Sequence, residues 1–296
     1  MPELPEVETV RIGLSQFLPG KVVVTETHDW AKGFPNADTD VQQFLIGAQI
    51  LAVKRRAKVL IIELSSKYSL LVHLKMTGQL VFVGTDTRFG AGHPNDSLVA
   101  QLPDKSTRVT LTFADNSQLF FNDFRKFGWV RLLPTAEVPN IDFFQKLGPE
   151  PLAADFTARD FVERLKRRQM SGIKAVLLDQ TVVAGIGNIY ADESLWGAKI
   201  HPSTLVKNIS QAKLYTLFTA LRDVLELSIV RGGSSDRNYV NAEGKKGSYL
   251  SFAKVFRREG KPCARHPDTL IIKLRVAGRG THICPKCQKP PQPRLT

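Results

Sequence analysis

The chain opens with Met1-Pro2-Glu3-Leu4-Pro5-Glu6-Val7-Glu8, a stretch that indicates both the first element of the fold and a candidate reactive group. Early prolines, acids in the first turn and apolar residues that follow at helical spacing predict a capped helix. If Met1 is removed, Pro2 presents a secondary amine, and α-amino groups titrate near ~8. With an aldehydic carbon such an amine can only give a cationic iminium, an electron sink suited to covalent catalysis. Glu3 and Glu6 add neighbouring carboxylates for proton transfer.

Charge and composition restrict the class of protein. The 296 residues are enough for two domains, and 41 Lys and Arg against 28 Asp and Glu give a net charge of +13. Such a surplus favours a polyanionic partner, and it is concentrated in residues 254–296, which hold eleven basic and two acidic side chains. No stretch approaches the ~20 apolar residues of a membrane span, and the acidic N-terminus does not resemble a signal peptide. We therefore expect a cytoplasmic protein that does not contact membranes.

Apolar spacing changes along the chain. Residues 21–132 contain eight short strand-like runs, which predict a β-sandwich or barrel, and the polar residues 84–106 are predicted to form a long loop. Helices are predicted over Thr157–Arg168, Lys174–Gln180 and Ser210–Arg231, the last with Ser210 as N-cap and two glycines after its end. The expected fold class is α+β, with an N-terminal helix and β-sandwich followed by a helical domain.

All three cysteines lie near the C-terminus, at positions 263, 284 and 287. An odd number in a cytoplasmic chain argues against a disulfide framework. Cys263-Ala264-Arg265-His266 and Cys284-Pro285-Lys286-Cys287 bracket a predicted strand–turn–strand, which is a zinc-ribbon pattern. We predict one structural Zn²⁺ ion held by Cys263, His266, Cys284 and Cys287. A lost or weakened site is the alternative, and His282 is a rival ligand.

Glycines and basic residues mark further candidate binding sites. Val183-Ala184-Gly185-Ile186-Gly187-Asn188 precedes a helix, where backbone amides and the helix dipole favour an anion. Val276-Ala277-Gly278-Arg279-Gly280-Thr281 suits a tight hairpin tip that projects one guanidinium. Arg55-Arg56-Ala57-Lys58 is a basic run before an apolar strand, and such a run by itself is usually solvated.

Several of these motifs, in the same order along nearly the whole chain, resemble those of bacterial formamidopyrimidine-DNA glycosylases. The match includes Pro2–Thr9, the segments around Lys58, His73–Gly78 and Asp123–Gly128, the helical segments around Lys174 and Asn188, and the C-terminal hairpin. The family members are bifunctional DNA repair enzymes that excise oxidised purines. The resemblance implies a helix–two-turn–helix element, a zinc hairpin, and duplex DNA with an oxidised purine or abasic site as partner, bound by a monomer in a basic cleft.

The resemblance also implies roles for individual residues. Pro2 would be the nucleophile and Glu3 the general acid/base, while Glu6 would help to hold the N-terminus. Phosphate contacts near the lesion are implied for Lys58, Lys174, Asn188 and Arg279, and a DNA contact for His73. Met76, Arg125 and Phe127 would fill the space left by the extruded base, an event that costs a few kcal/mol.

Three departures from the family pattern stand out. His266 replaces a cysteine, although imidazole is a sound zinc ligand and the family often has a histidine at position 282 beside four cysteines. Lys75 replaces a glycine. The segment after Arg231-Gly232-Gly233-Ser234-Ser235, which resembles the family's lesion-capping loop, also departs from it at Asp236–Tyr239.

The predicted organisation is a catalytic domain over 1–134, a linker over 135–156, a helical domain over 157–252, a zinc hairpin over 253–289 and a tail over 290–296. Three other functions remain open at this point. An endonuclease VIII-like glycosylase would prefer oxidised pyrimidines, although Leu4 and Val7-Glu8-Thr9 favour the purine enzyme. A non-catalytic DNA-lesion-binding protein would not need Pro2 and Glu3. A plain β-sandwich with a basic tail would leave the ordered motifs unexplained.

Overall fold

A computed structural model describes residues 2–93, 95–234 and 248–291. The chain forms two compact units, an N-terminal unit of residues 1–145 with 229–248 and a C-terminal unit of residues 146–228 with 249–296. No helix in the described ranges is long and apolar enough to cross a membrane.

The N-terminal unit is a sandwich of two antiparallel sheets against one helix. The elements are α1 (Leu4–Leu14), β1 (Val23–His28), α2 (Asp38–Asp40) with a π-helix (Val41–Leu45), β2 (Ile50–Arg56), β3 (Val59–Leu64), β4 (Tyr68–His73), β5 (Gly78–Val83), β6 (Arg88–Gly92), β7 (Thr107–Phe113), β8 (Gln118–Asp123), β9 (Trp129–Pro134) and α3 (Asp142–Gln145). The sheets have the strand orders β1-β7-β8-β5-β6 and β2-β3-β4-β9, and the apolar face of α1 shares their core.

The loop predicted over residues 84–106 is wrong in its first part, because β6 occupies Arg88–Gly92 and pairs with β5. The glycines of this segment conceal the strand in the sequence. The one large apolar residue of β6, Phe89, is buried against α1. A Cβ on Gly13 of that helix would come within 2.0 Å of the Phe89 ring. The segment predicted as a linker contains a 3-10 helix, Thr135–Asn140, followed by α3.

The C-terminal unit packs helices around a second apolar core and carries two small hairpins. The predicted helices are present, with Thr157 and Ser210 accepting hydrogen bonds at the helix starts as N-caps do. The elements are α4 (Ala158–Lys166), α5 (Ile173–Leu178), α6 (Asn188–Gly197), α7 (Gln211–Val230), α8 (Tyr249–Phe252), β10 (Pro262–Cys263), β11 (His266–Leu270), β12 (Ile272–Val276) and β13 (Arg279–Ile283). The α+β class, the sandwich and the C-terminal hairpins are confirmed.

Candidate functional site

The start of α1 is a buried carboxylate network. Pro2 is buried, and Glu3 and Glu6 are 3% and 8% exposed. Glu3 and Glu6 form a reciprocal capping box, in which the Glu3 amide donates to Glu6 Oε2 at 2.8 Å. The second oxygen of Glu6 accepts from the Ser234 amide, also at 2.8 Å. The carboxylate of Glu6 therefore fixes both the residue next to Pro2 and the first part of the predicted capping loop, whose residues 235–247, including Asp236–Tyr239, lie outside the described ranges.

Lys58 and His73 lie at one end of the four-stranded sheet. Lys58 occupies the two-residue turn between β2 and β3, and its neighbour Val59 pairs with His73 on β4. Burial, together with the positive charges of Lys75 and Lys58, lowers the pKa of His73 to about 3. His73 Nδ1 accepts from the Lys75 amide at 2.9 Å, so the neutral ring carries its hydrogen on Nε2 and can donate it.

Two exposed loops leave the same end of the five-stranded sheet, because Gly78 on β5 pairs with Asp123 on β8. Met76 precedes Gly78 and is 36% exposed, while Phe127 follows Asp123 and is 50% exposed. The guanidinium of Arg125 lies 4.5 Å from the centre of the Phe127 ring. The apolar side chains of Met76 and Phe127 and the cation of Arg125 are thus carried by loops that leave the same end of the sheet.

Asp123 holds this pair of loops in place and is completely buried. Its carboxylate accepts from the amides of Phe127 at 2.8 Å and Gly128 at 2.7 Å, and from the hydroxyl of Thr77 in the opposite loop. Asp123 lies in one of the segments that resemble the family motifs, but no role was predicted for it from the sequence. An aspartate at the start of a turn, followed by exposed residues, was the available signal.

The turn between α5 and α6 is closed by Gln180, whose side chain donates to Ile186 O at 2.8 Å and accepts from the Gly185 amide at 2.9 Å. Gly185 has φ +88°, a left-handed conformation that favours glycine. Asn188 then begins α6, and its Nδ2 donates to Gly280 O at 2.9 Å. An amide nitrogen carries two hydrogens, and this bond uses one of them.

The position of Lys174 argues against the predicted phosphate contact. Its side chain is completely buried, and Nζ lies 2.6 Å from both Asp192 Oδ1 and Thr281 Oγ1. A lysine held in this way contacts a phosphate only if it leaves both partners. The physical reason is that α5 packs on α6, which turns the face carrying Lys174 inward. Asp192, which was not predicted from the sequence, is its fully buried partner.

The predicted zinc ligands come together. The donor atoms of Cys263, His266, Cys284 and Cys287 all lie within 4.8 Å of one another. The Cys263 and Cys287 sulfurs are 3.8 Å apart, and His266 Nδ1 is 3.2 Å from the Cys287 sulfur and 4.0 Å from that of Cys284. Tetrahedral zinc with bonds of ~2.3 Å to sulfur and ~2.0 Å to nitrogen needs separations of about 3.6–3.8 Å. The four donors therefore fit one zinc ion.

Crowding of the sulfurs also fits a cation. Burial and the neighbouring sulfurs of Cys284 and Cys263 raise the pKa of the Cys287 thiol to about 12. A bound cation reverses this effect, because it favours the thiolate.

His282 is not part of the cluster and instead faces Asp192, with Nδ1 3.4 Å from Oδ2. The prediction of one structural zinc site is confirmed, and the side chain that joins the three cysteines in the cluster is His266, whose role as the fourth ligand stays a prediction.

Arg279 stands at the tip of the hairpin formed by β12 and β13. Val276 pairs with Arg279, and the two turn residues between them, Ala277 and Gly278, have φ of +50° and +72°. Two successive left-handed residues make the type I′ turn that suits a hairpin. Arg279 is exposed beside this turn, as predicted.

Comparison with known proteins agrees with this architecture. Three family descriptions match in order: the formamidopyrimidine-DNA glycosylase N-terminal domain over residues 1–130, its H2TH domain over residues 147–239, and a zinc finger found in FPG and IleRS over residues 268–290. The curated formamidopyrimidine-DNA glycosylase of Pelotomaculum thermopropionicum is 39% identical over 98% of this chain and 99% of its own length.

Solved structures agree as well. A Lactococcus lactis FPG mutant crystallised with a Fapy-dG containing DNA has a TM-score of 0.86 and 36% identity, covering 98% of this chain and 100% of that chain. MutM in complex with carbocyclic 8-oxo-G containing DNA has a TM-score of 0.84 and 35% identity, with the same coverage. Because sequence, fold and metal cluster agree over nearly the full length, the chain belongs to the formamidopyrimidine-DNA glycosylase family, and the predicted enzyme class is confirmed.

Proposed function

We propose that this protein removes oxidised purines, 8-oxoguanine and formamidopyrimidines, from duplex DNA and then cleaves the strand at the resulting abasic site. The observation that carries the proposal is the buried network at the start of α1, where Glu6 holds Glu3 beside Pro2. A helix start needs a capping box only for stability; it does not need a proline amine next to two enclosed carboxylates. Relatives crystallised with Fapy-dG and 8-oxo-G DNA support the choice of substrate.

The reaction begins at the N-terminal amine. With Met1 removed, the Pro2 nitrogen attacks C1′ of the extruded nucleotide, and the glycosidic bond breaks as the base leaves with its electron pair and gains a proton. Glu3 donates a proton to the sugar-ring oxygen, so the C1′–O4′ bond opens and the iminium forms.

The iminium then supports two eliminations. Loss of a proton from C2′ expels the 3′ phosphate, and loss of a proton from C4′ expels the 5′ phosphate. Hydrolysis of the iminium releases the sugar fragment and restores the Pro2 amine. The products are a one-nucleotide gap with phosphates on both sides and a free base.

The remaining predicted residues hold the substrate. Lys58 and the neutral Nε2–H of His73 would contact phosphates at the end of the four-stranded sheet, and Asn188 and Arg279 would contact phosphates from the C-terminal unit. Met76, Arg125 and Phe127 would occupy the gap in the base stack. Zinc, held by the Cys₃His cluster, would cross-link the hairpin that carries Arg279. Acting on bacterial DNA, the enzyme would work in the cytoplasm as a monomer.

Borohydride trapping tests the proposal, because reduction converts the iminium into a stable cross-link. Three proteins are compared on duplexes with 8-oxoguanine or thymine glycol: the natural chain, Pro2→Gly, and a chain with one extra residue before Pro2. The extra residue keeps every side chain but turns the amine into an amide. We expect a cross-link on 8-oxoguanine only with the natural chain, and weak or absent trapping with the other two.

Three outcomes would overturn the proposal. Cross-linking that persists in the extended chain would show that Pro2 is not the nucleophile. Preference for thymine glycol over 8-oxoguanine would assign the protein to the oxidised-pyrimidine enzymes. Binding of lesion DNA without cross-linking in any form, with mass spectrometry showing Met1 removed, would show a binding-only protein.

A further inference from the structure

The C-terminal unit contains a charged pair with no exposed surface. Lys174 Nζ on α5 and Asp192 Oδ1 on α6 are 2.6 Å apart, and both side chains are 0% exposed. Enclosing two charges is unfavourable unless each also gains further hydrogen bonds, and apolar residues of similar size would serve packing alone at least as well. The additional partners of the pair therefore indicate what it does.

Those partners are consecutive residues of the hairpin strand β13. Lys174 Nζ donates to Thr281 Oγ1 at 2.6 Å, and Asp192 Oδ2 accepts from the His282 amide at 2.9 Å. Asn188 at the start of α6 donates to Gly280 O, the residue before Thr281. Three side chains of the helix–turn–helix segment thus hold Gly280, Thr281 and His282, which directly follow the exposed Arg279.

The zinc cluster holds the opposite end of the same strand. Arg279 and Cys284 are five residues apart, which in an extended strand is about 17 Å. A metal fixes the base of such a hairpin, but the tip remains free to bend unless something else holds it. The contacts from Asp192, Lys174 and Asn188 lie within three residues of the tip, where they restrict its position most.

We propose that Asp192 is a positioning residue for Arg279: its carboxylate, paired with Lys174, locks the hairpin tip onto α6 so that Arg279 and Asn188 present their donors to the same stretch of phosphates. The proposal rests on the proposed function, which assigns a phosphate contact to Arg279. Neither Asp192 nor Lys174 touches the substrate in this arrangement.

A double-mutant cycle on DNA binding and excision tests the coupling. We expect Asp192→Asn to slow single-turnover excision of 8-oxoguanine about tenfold or more, because an asparagine cannot accept from both Lys174 and the His282 amide. In an Arg279→Ala background the same substitution should have little further effect, since the residue it positions is gone. Asp223→Asn, an exposed position on α7 in the same unit, is the matched control and should leave the rate unchanged.

Salt dependence separates positioning from a loss of stability. Losing one phosphate contact reduces the slope of log affinity against log salt by about 0.9, whereas a partly unfolded protein loses active fraction without a change of slope. We expect Arg279→Ala and Asp192→Asn each to reduce the slope by this amount, and the double variant to reduce it no further. Zinc per chain and the melting curve are measured for every variant.

Additive effects of Asp192→Asn and Arg279→Ala, or an unchanged salt slope in Asp192→Asn, would overturn the proposal. If Arg279→Ala itself leaves both slope and excision unchanged, the proposed phosphate contact fails instead. Should Asp192→Asn lose zinc or its cooperative melt, Thr281→Val replaces it in the cycle, since this leaves the charged pair intact and removes one acceptor of Lys174 together with the hydrogen bond from the same hydroxyl to Arg279 O. Additivity of Thr281→Val with Arg279→Ala would then overturn the proposal, and non-additivity would support it.

Discussion

Acidification is expected to destabilise the N-terminal unit through His73. The folded protein holds this histidine neutral with a pKa of about 3, because it is buried and faces the charges of Lys75 and Lys58. An unfolded histidine titrates near 6.5, so between pH 6.5 and pH 3 the unfolded chain binds more protons than the folded one. The stability contributed by this group is therefore complete above pH 6.5 and falls as the pH decreases towards 3.

The magnitude follows from the two pKa values. At pH 5 the unfolded histidine is protonated and the folded one is not, which lowers the free energy of unfolding by about 2 kcal/mol relative to pH 8. A His73→Gln variant lacks this contribution. The difference in stability between the natural chain and His73→Gln should therefore change by about 2 kcal/mol between pH 8 and pH 5, with the contributions of other groups cancelling.

Urea unfolding at a series of pH values gives this difference, and NMR titration of the histidine ring protons gives the pKa directly. In a Lys75→Gly variant we expect the pKa of His73 to rise but to stay below 6.5, because burial remains after one charge is removed. Glycine retains the amide that donates to Nδ1, and the φ of +49° at position 75 suits it. Parallel stability curves for the natural chain and His73→Gln, or a His73 ring that titrates near pH 6, would refute the reasoning.

Three further predictions follow from local geometry. Ala277→Asn should stabilise the hairpin by roughly 0.5–1 kcal/mol, since asparagine tolerates the left-handed φ better than alanine, and a lower melting temperature would contradict the turn assignment. Asp123→Asn should lower the free energy of unfolding in urea by about 2–3 kcal/mol and weaken binding of abasic-site DNA, because the new NH₂ group cannot accept from the backbone N–H groups that Asp123 binds. The control Asp115→Asn, at an exposed turn, should lower it by less than about 1 kcal/mol. His266→Ala should reduce bound zinc well below one ion per chain by elemental analysis, whereas His266→Cys should retain it. A full zinc ion per chain in His266→Ala would exclude His266 as a ligand.

The sequence predicted those features that leave a periodic or compositional signal. Eight of the nine sandwich strands in the described part of the chain, the caps at Thr157 and Ser210 and the pairing of Cys263–His266 with Cys284–Cys287 all follow from local pattern. The missed strand β6 lacks that signal, since three of its five residues are glycine or alanine and its burial depends on α1 and β5. Tertiary contact decides such a strand more than its own propensity does.

The exposure of the candidate site residues was predicted correctly for some of them and wrongly for Lys174. Met76, Phe127 and Arg279 are exposed as predicted, but Lys174 is not, because a lysine on a short helix gives no local sign of an acidic partner eighteen residues away. Lys75 stands where the family has glycine, and its backbone has a left-handed φ of +49°, a conformation that favours glycine. The sequence does not show this angle, so the reason for glycine at this position is visible only in the structure.

The buried carboxylates share a physical logic that connects fold and function. Glu6, Asp123, Asp192 and Glu193 each accept backbone N–H groups from a separate loop or hairpin: Ser234, Phe127 and Gly128, His282, and residues 254–256 respectively. A carboxylate has only acceptors, so it can bind several amides at once, and these charge-assisted bonds are about twice as strong as neutral ones. Burial raises the pKa of Glu193, which shows the cost of enclosing such a group. Such a cost is acceptable where a loop must stay rigid while its neighbouring residues remain exposed, and two of these segments, those held by Asp123 and Asp192, carry residues that are proposed to meet DNA.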